Sequence, residues 1–385
     1  MPSPVRLCPV ETRRDLKRFI RMPDRIYADD PNWVRPLMME RLALLDRRKN
    51  PYFDHAEAAF WLAERDGAPV GRISAQVDRL VEQRFGERIG HFGLFECVDD
   101  PDVATGLFET AEAWLRERGC TRVQGPFNLS INSECGLLVD GFETPPAVMM
   151  GHARPYYCNM LEGQGYAKAT DMYAYELDLH KGPPASIARF VNASLAHGEI
   201  KVRQLDKKKY DEELSIILDI FNDAWAHNWG FVPMTSAEAV QMAREIRPLL
   251  DPRCVEICHY KGEDAAMFVT LPDFNSLIAD FNGSLLPFNW LRLLPRLGRV
   301  SDRVRVPLMG VRQPFQNTRA GAAMAMIMIE NVRQRCISLG ATWGELSWIL
   351  EGNTNMRKIL VKIGCELYKT YRIYEKPLAP PDGAS

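Results

Sequence analysis

Two stretches of this 385-residue chain carry the same succession of signals at nearly the same spacing, so the chain must fold as two copies of one element order. The first half runs from Val5-Arg6 to Asn32-Trp33 and the second from Val202-Arg203 to Asn228-Trp229, spans that differ by one residue. A hairpin pattern follows in each: FWLAERDGAPVGRISAQVD turns at Asp66-Gly67, and VEICHYKGEDAAMFVTLPD turns at Lys261-Gly262. Residues 102–118 and 320–339 have helical periodicity, and each run stops at a glycine, Gly119 or Gly340. Glu109 and Glu330 keep the same offset from that glycine. Tyr175-Glu176 and Tyr374-Glu375 keep the same offset from Gly165 and Gly364. Each half therefore predicts β–α–(α)–β–β–β–α–β–α–β–β, an α/β (α+β) chain with helices on a mixed, mostly antiparallel sheet. Lys181-Gly182-Pro183-Pro184 is a natural joint. The expected division is 1–182, 183–377 and a disordered tail, 378–385.

Composition narrows the function. Hydrophobic residues at 46% and charged residues at 25% describe a core-forming chain. Lys plus Arg (48) nearly equals Asp plus Glu (50), so no global basic field points to nucleic acid. The N-terminus has no signal-peptide core, and no apolar run approaches the ~20 residues of a membrane span. Nine cysteines without a spacing framework read as reduced thiols, and the chain as cytoplasmic. Cys254, Cys258 and His259 lack the second pair that a tetrahedral metal site needs, so no metal is expected. Neither a nucleophile elbow nor a P-loop is present.

In the second half, the strand pattern 303–311 leads into QNTRAGA (316–322), which opens the long helix. Asn353 stands eleven residues before Gly364. The order of elements and these residues resemble the GNAT acyltransferase superfamily in tandem, two-lobed form. Within it, the chain looks most like the group that includes bacterial ceramide synthases. The family's pyrophosphate loop reads Q/R-x-x-G-x-G/A, and Gln316, Arg319 and Gly321 fill its key places, with Arg replacing one Gly. The family's frequent tyrosine four residues before the last glycine is Leu360 here. The resemblance implies acyl-CoA as co-substrate, held at Arg312, Gln316, Arg319, Gly321 and Asn353. Independently, a helix N-terminus offers outward N–H groups to an anion, Gly321 permits close backbone approach, and Arg312 and Arg319 add cations. The first half has CVDDPDVA at the same place. Asp99, Asp100 and Asp102 there would repel a pyrophosphate.

Other residues address the acceptor. Amide formation needs a neutral amine, and a carboxylate or imidazole can take its proton. Glu345 and Ser347 share one face of a strand, with Glu351 beyond them. In the resembled fold this strand splays from its neighbour at the thioester, so Glu345 and then Glu351 are candidate bases. His227 is a third, having a near-neutral ordinary pKa. Asn228 and Trp229 lie in the region that lines the acceptor side in the resembled family. The first half's extra segment, 125–150, carries Asn128, Asn132 and Glu134 at alternating positions that would share a strand face. The stretch 285–300 mixes Leu, Phe and Trp with Arg292, Arg296 and Arg299, a pattern for a membrane surface or for an inserted helix packed on the protein. Three readings stay open. One is an N-acyltransferase acting on a small-molecule or lipid amine, including a sphingoid base. Another is a transferase of polar small molecules or peptidoglycan precursors, as in Fem-type proteins. The third is a CoA- or partner-binding scaffold without catalysis.

Overall fold

The computed structural model describes residues 3–297 and 301–379; Arg299 and residues 380–385, part of the expected tail, lie outside it. The chain packs into two units. The first takes residues up to Asp171, Phe281–Leu285 and residues from Lys369 on; the second takes Met172–Asp280 and Leu286–Tyr368.

In the first unit β1 (Arg6–Pro9), β2 (Ala56–Arg65), β3 (Ala68–Asp78) and β4 (Ile89–Cys97) are successive antiparallel neighbours. β5 (Arg122–Gly125) joins β4 in parallel after the crossover helix Pro101–Glu117. β6 (Leu137–Asp140) follows, and β7 (Ala167–Asp178) closes the first repeat. The second unit repeats the plan. β8 (Ile200–Gln204), β9 (Val255–Tyr260), β10 (Glu263–Pro272) and β11 (Arg303–Val311) are antiparallel. β12 (Trp343–Leu350) joins β11 in parallel after the crossover helix Arg319–Ser338. The last strand is β13 (Glu366–Pro377).

Each repeat gives its last strand to the other unit. Residues 172–178 of β7 pair antiparallel with β12. Residues 370–377 of β13 pair antiparallel with β5 and β6. The seam of packing therefore differs from the seam of the repeat near Lys181. Each repeat closes with one twelve-residue strand rather than the expected two, because neither 167–178 nor 366–377 contains a turn-forming pair.

Local chemistry explains the elements that position the site. Asp66 and Gly67 have φ of 53° and 76°, and Lys261 and Gly262 have 51° and 94°, the two positive angles of a two-residue hairpin turn. The first half of the helix Arg319–Ser338, residues 320–329, is apolar all round. Met324, Ile327, Met328 and Val332 share one core with Phe268 on the sheet and Val191 on the helix Ala185–Ala196, so the helix is covered on two sides. The opposite sheet face packs Ile257, Met267 and Val269 against Ile217, Ile220 and Phe221 of the helix Tyr210–Trp225.

Candidate functional site

In the second unit β11 and β12 pair only from Arg303↔Trp343 to Val306↔Leu346. Beyond that level both strands bend. β11 carries an extra residue at 306–307, against β10. β12 carries one at 347–348, where Trp348 has φ 59°. Pro307 has no N–H to continue a ladder. The result is a fork, and among the described residues no segment pairs with β11 beyond Val306 on the side facing β12.

Glu345 sits one residue before the fork and is paired in register with Arg305. Both side chains are 0% exposed, and Arg305 Nε lies 3.2 Å from Glu345 Oε1. Arg305 Nε also donates to Ser347 Oγ at 2.8 Å, and the guanidinium stands 4.6 Å from the Trp348 ring centroid. The Tyr368 hydroxyl donates to Glu345 Oε2. The ion pair and the hydrogen bond take the place of water around this buried carboxyl group. Glu345 and Ser347 share a face as expected, and Arg305 and Tyr368 complete the cluster. Glu351 lies past the end of β12, where its carbonyl accepts from Arg357.

The loop before the helix Arg319–Ser338 uses its residues differently from the expectation. Arg312 pairs with Asp219 and donates to the Asp264 carbonyl. Gln316 Nε2 donates to the carbonyls of Ala224 and Val311. Both side chains pin the loop to its surroundings. A Cβ on Gly321 would lie 2.1 Å from the Phe315 carbonyl oxygen, so this glycine makes room for the loop's own backbone. Thr318 caps the helix by accepting from Gly321 N at 3.0 Å. Arg319 is exposed, and among the described residues no carboxylate pairs with it. Asn353 caps the helix Thr354–Lys362 by accepting from Met356 N. Asn355 Nδ2 donates to Asn317 Oδ1, which joins the N-termini of these two helices.

The remaining candidates are spread over both units. His227 is exposed, in the turn after the helix Tyr210–Trp225. Asn228 and Trp229 follow it, half-buried. In the first unit, residues 126–136 form a compact turn instead of the expected alternating strand, because Asn128 and Glu134 bond inward. Phe127 N donates to the Phe92 carbonyl and Asn128 Oδ1 accepts from Leu94 N, both at 2.8 Å. A Cβ on Gly93 would lie 1.7 Å from the Phe127 carbonyl oxygen. The chain thus fills its own fork between β4 and β5. Glu134 accepts from Asn128 at 2.9 Å and from Arg41 Nη1 at 3.1 Å. Burial would raise its carboxyl pKa, but the Arg41 guanidinium outweighs burial and holds it below the ordinary value. Asn132 donates its N–H to Ser130 Oγ. Asp100 already caps the helix Pro101–Glu117 and pairs with Arg65 at 2.6 Å.

Among the described residues no helix is long and apolar enough to cross a membrane, and no side-chain group is arranged to hold a metal ion. Arg305 and Tyr368 were missed by sequence reasoning. Their only signals are an arginine inside a strand that is apolar after Arg303 and a tyrosine in a tyrosine-rich strand.

No family model matches the chain. It is 48% identical over 372 residues to a protein named bacterial ceramide synthase from Caulobacter vibrioides, covering 96% of this chain and 97% of that one. It is 42% identical to protein YghO of Escherichia coli, covering 95% of this chain and 94% of that one. In structure it is similar to a tandem GNAT protein from the clavulanic acid biosynthesis pathway, with TM-score 0.53, 10% identity, 98% of this chain and 100% of that one. The forked sheets, repeated with their crossover helices, are the tandem GNAT fold, and the chain belongs to the bacterial ceramide synthase family of acyltransferases.

Proposed function

We propose that the protein transfers an acyl group from acyl-CoA to the amine of a long-chain amino alcohol, forming an amide, and that the second unit binds acyl-CoA. The observation that carries this reading is the contrast between the forks. One is filled by Phe127 and Asn128 beside an acid-capped helix. The other leaves the β12-facing side of β11 without a partner beyond Val306 among the described residues, beside a helix N-terminus that carries Arg319. Thr318, Arg319 and the free N–H groups of that helix would face the pyrophosphate. The capping and pinning roles of Asn353, Gln316 and Arg312 would hold the loop in shape.

Acyl-CoA supplies an activated thioester, and the protein's part is to orient the amine and remove its proton. Tyr368 is half-buried and hydrogen-bonded to the sequestered Glu345. The ammonium proton passes to the Tyr368 oxygen as the phenolic proton passes to Glu345. The neutral nitrogen then attacks the thioester carbonyl, the C–S bond breaks with its electron pair passing to the CoA sulfur, and the proton the nitrogen sheds on becoming an amide goes to that thiolate. The long-chain acceptor follows from the name of the Caulobacter relative and from the exposed apolar side chains of 286–294, which suit a peripheral membrane contact.

The test is a transfer assay with long-chain acyl-CoA against a long-chain amino alcohol, amino sugars and short amines, alongside an acyl-CoA titration. The long-chain amide should be the preferred product, and Arg319→Glu should weaken acyl-CoA binding by tenfold or more. Preference for a polar amine would give the acceptor to the small-molecule reading. Acyl-CoA binding without transfer to any amine would leave a scaffold. Unchanged affinity in Arg319→Glu would remove the helix N-terminus from the binding site.

A further inference from the structure

The second unit has a half-open cavity of about 590 Å³, bounded by the end of β10, the start of β11, the turn after the helix Ser236–Ile246 and the last residues of the helix Arg319–Ser338. It lies at the opposite end of that helix from Arg319, so the proposed acyl-CoA loop does not account for it. Its volume falls in the range of small-molecule sites, about 300–1,000 Å³.

The lining has two characters. Leu271, Leu297, Val304 and Leu339 make an apolar wall. Lys207, Arg247 and Arg253 also line it, with one carboxylate, Asp251. Asp251 is taken by Arg253 at 2.6 Å. Lys207 and Arg247 have no carboxylate at ion-pair distance among the described residues, so three cations against one anion leave the wall at +2.

We propose that this cavity takes the anionic, phosphate-type head group of a lipid, held by Lys207 and Arg247. A free inorganic phosphate would leave the leucine wall wet, whereas the first methylenes of a lipid chain cover it. Leu297 ties the cavity to the surface where such a lipid would arrive. It is the last residue of the helix Asn289–Leu297, which exposes Trp290, Leu291 and Leu294. The inference does not depend on the identity of the amine acceptor.

Calorimetric titration of the full-length protein with dihexanoyl phosphatidic acid, dihexanoyl phosphatidylcholine and inorganic phosphate tests it. Saturable binding of the phosphatidic acid is expected, with the other two at least tenfold weaker. The double variant Lys207→Gln, Arg247→Gln changes two exposed side chains and should weaken binding at least tenfold, with acyl-CoA affinity unchanged. Phosphate bound as tightly as the lipid would overturn the lipid assignment. Phosphatidic acid bound equally by wild type and the double variant, or bound by neither, would overturn the site.

Discussion

At the scale of residues, the decisive group is the pair Arg305–Glu345. An ion pair with both side chains fully buried adds little net stability over an apolar pair of the same shape, so its presence in the sheet beside a fork calls for another reason. Proton transfer supplies one. Glu345→Gln should lower turnover by ~10²-fold or more while acyl-CoA affinity is retained. The same change leaves Arg305 buried opposite a neutral group, so stability also falls, by up to about 3–5 kcal/mol. Turnover must therefore be read per folded molecule, with urea unfolding measured alongside. Tyr368→Phe removes the relay and the hydrogen bond on Glu345 Oε2 but keeps the Arg305 ion pair, so it should slow turnover at a smaller stability cost, about 1–3 kcal/mol. Wild-type turnover in both variants would take the pair out of the chemistry. Glu345 was legible in the sequence because period two places it with Ser347 on one strand face. Arg305 was not, since strands 40 residues apart in sequence must pair before the two meet. Arg312 and Gln316 were legible as polar loop residues, but their partners Asp219 and Ala224 lie on a helix that sequence spacing could not place beside them.

At the scale of elements, local signals were clear and exchange was not. The hairpins, the glycine helix stops and the crossover helices announce themselves through turn chemistry and period. The trading of β7 and β13 has no local signature, because a strand that pairs in either unit has the same alternation and the same neighbours in sequence. The filled fork also escaped notice. Asn128 was expected on a strand face, whereas its side chain substitutes for a ladder partner of Leu94. The two crossover helices offer a matched comparison. Thr318→Ala removes the cap of one and Asp100→Ala the cap of the other, each costing about 1 kcal/mol of stability. Thr318→Ala should also weaken acyl-CoA binding, since it loosens the loop at the proposed pyrophosphate site, and Asp100→Ala should leave it unchanged. Titration of both variants with acyl-CoA checks this. Equal loss in both would mean that the first unit shares the binding.

At the scale of the whole molecule, the surface stands out where Leu286 and Phe288 are 72% and 71% exposed and Trp290, Leu291 and Leu294 follow within six residues. Isolated exposed leucines need no explanation, but five large apolar side chains in nine residues do. Leu293, in their midst, is buried, so the stretch is a packed helix and an exposed face at once. Arg292 and Arg296 both pair with Asp280, which cancels one of their two charges. Attraction to anionic headgroups is therefore weak here, and apolar burial, roughly 25 cal/mol per Å², dominates any contact with lipid. The protein should sediment with vesicles, and moderate salt should release only part of it. Replacing Leu286, Phe288 and Leu294 together with Ser should cut vesicle binding at least tenfold and slow turnover on a long-chain amino alcohol presented in vesicles. Turnover on a short water-soluble amine should be spared, because none of the three side chains is in the core. Leu293→Ser, by contrast, should lower the melting temperature. A triple variant that still binds vesicles like wild type would show that lipid meets some other surface, and wild-type protein that ignores vesicles would leave the acceptor to be delivered in solution.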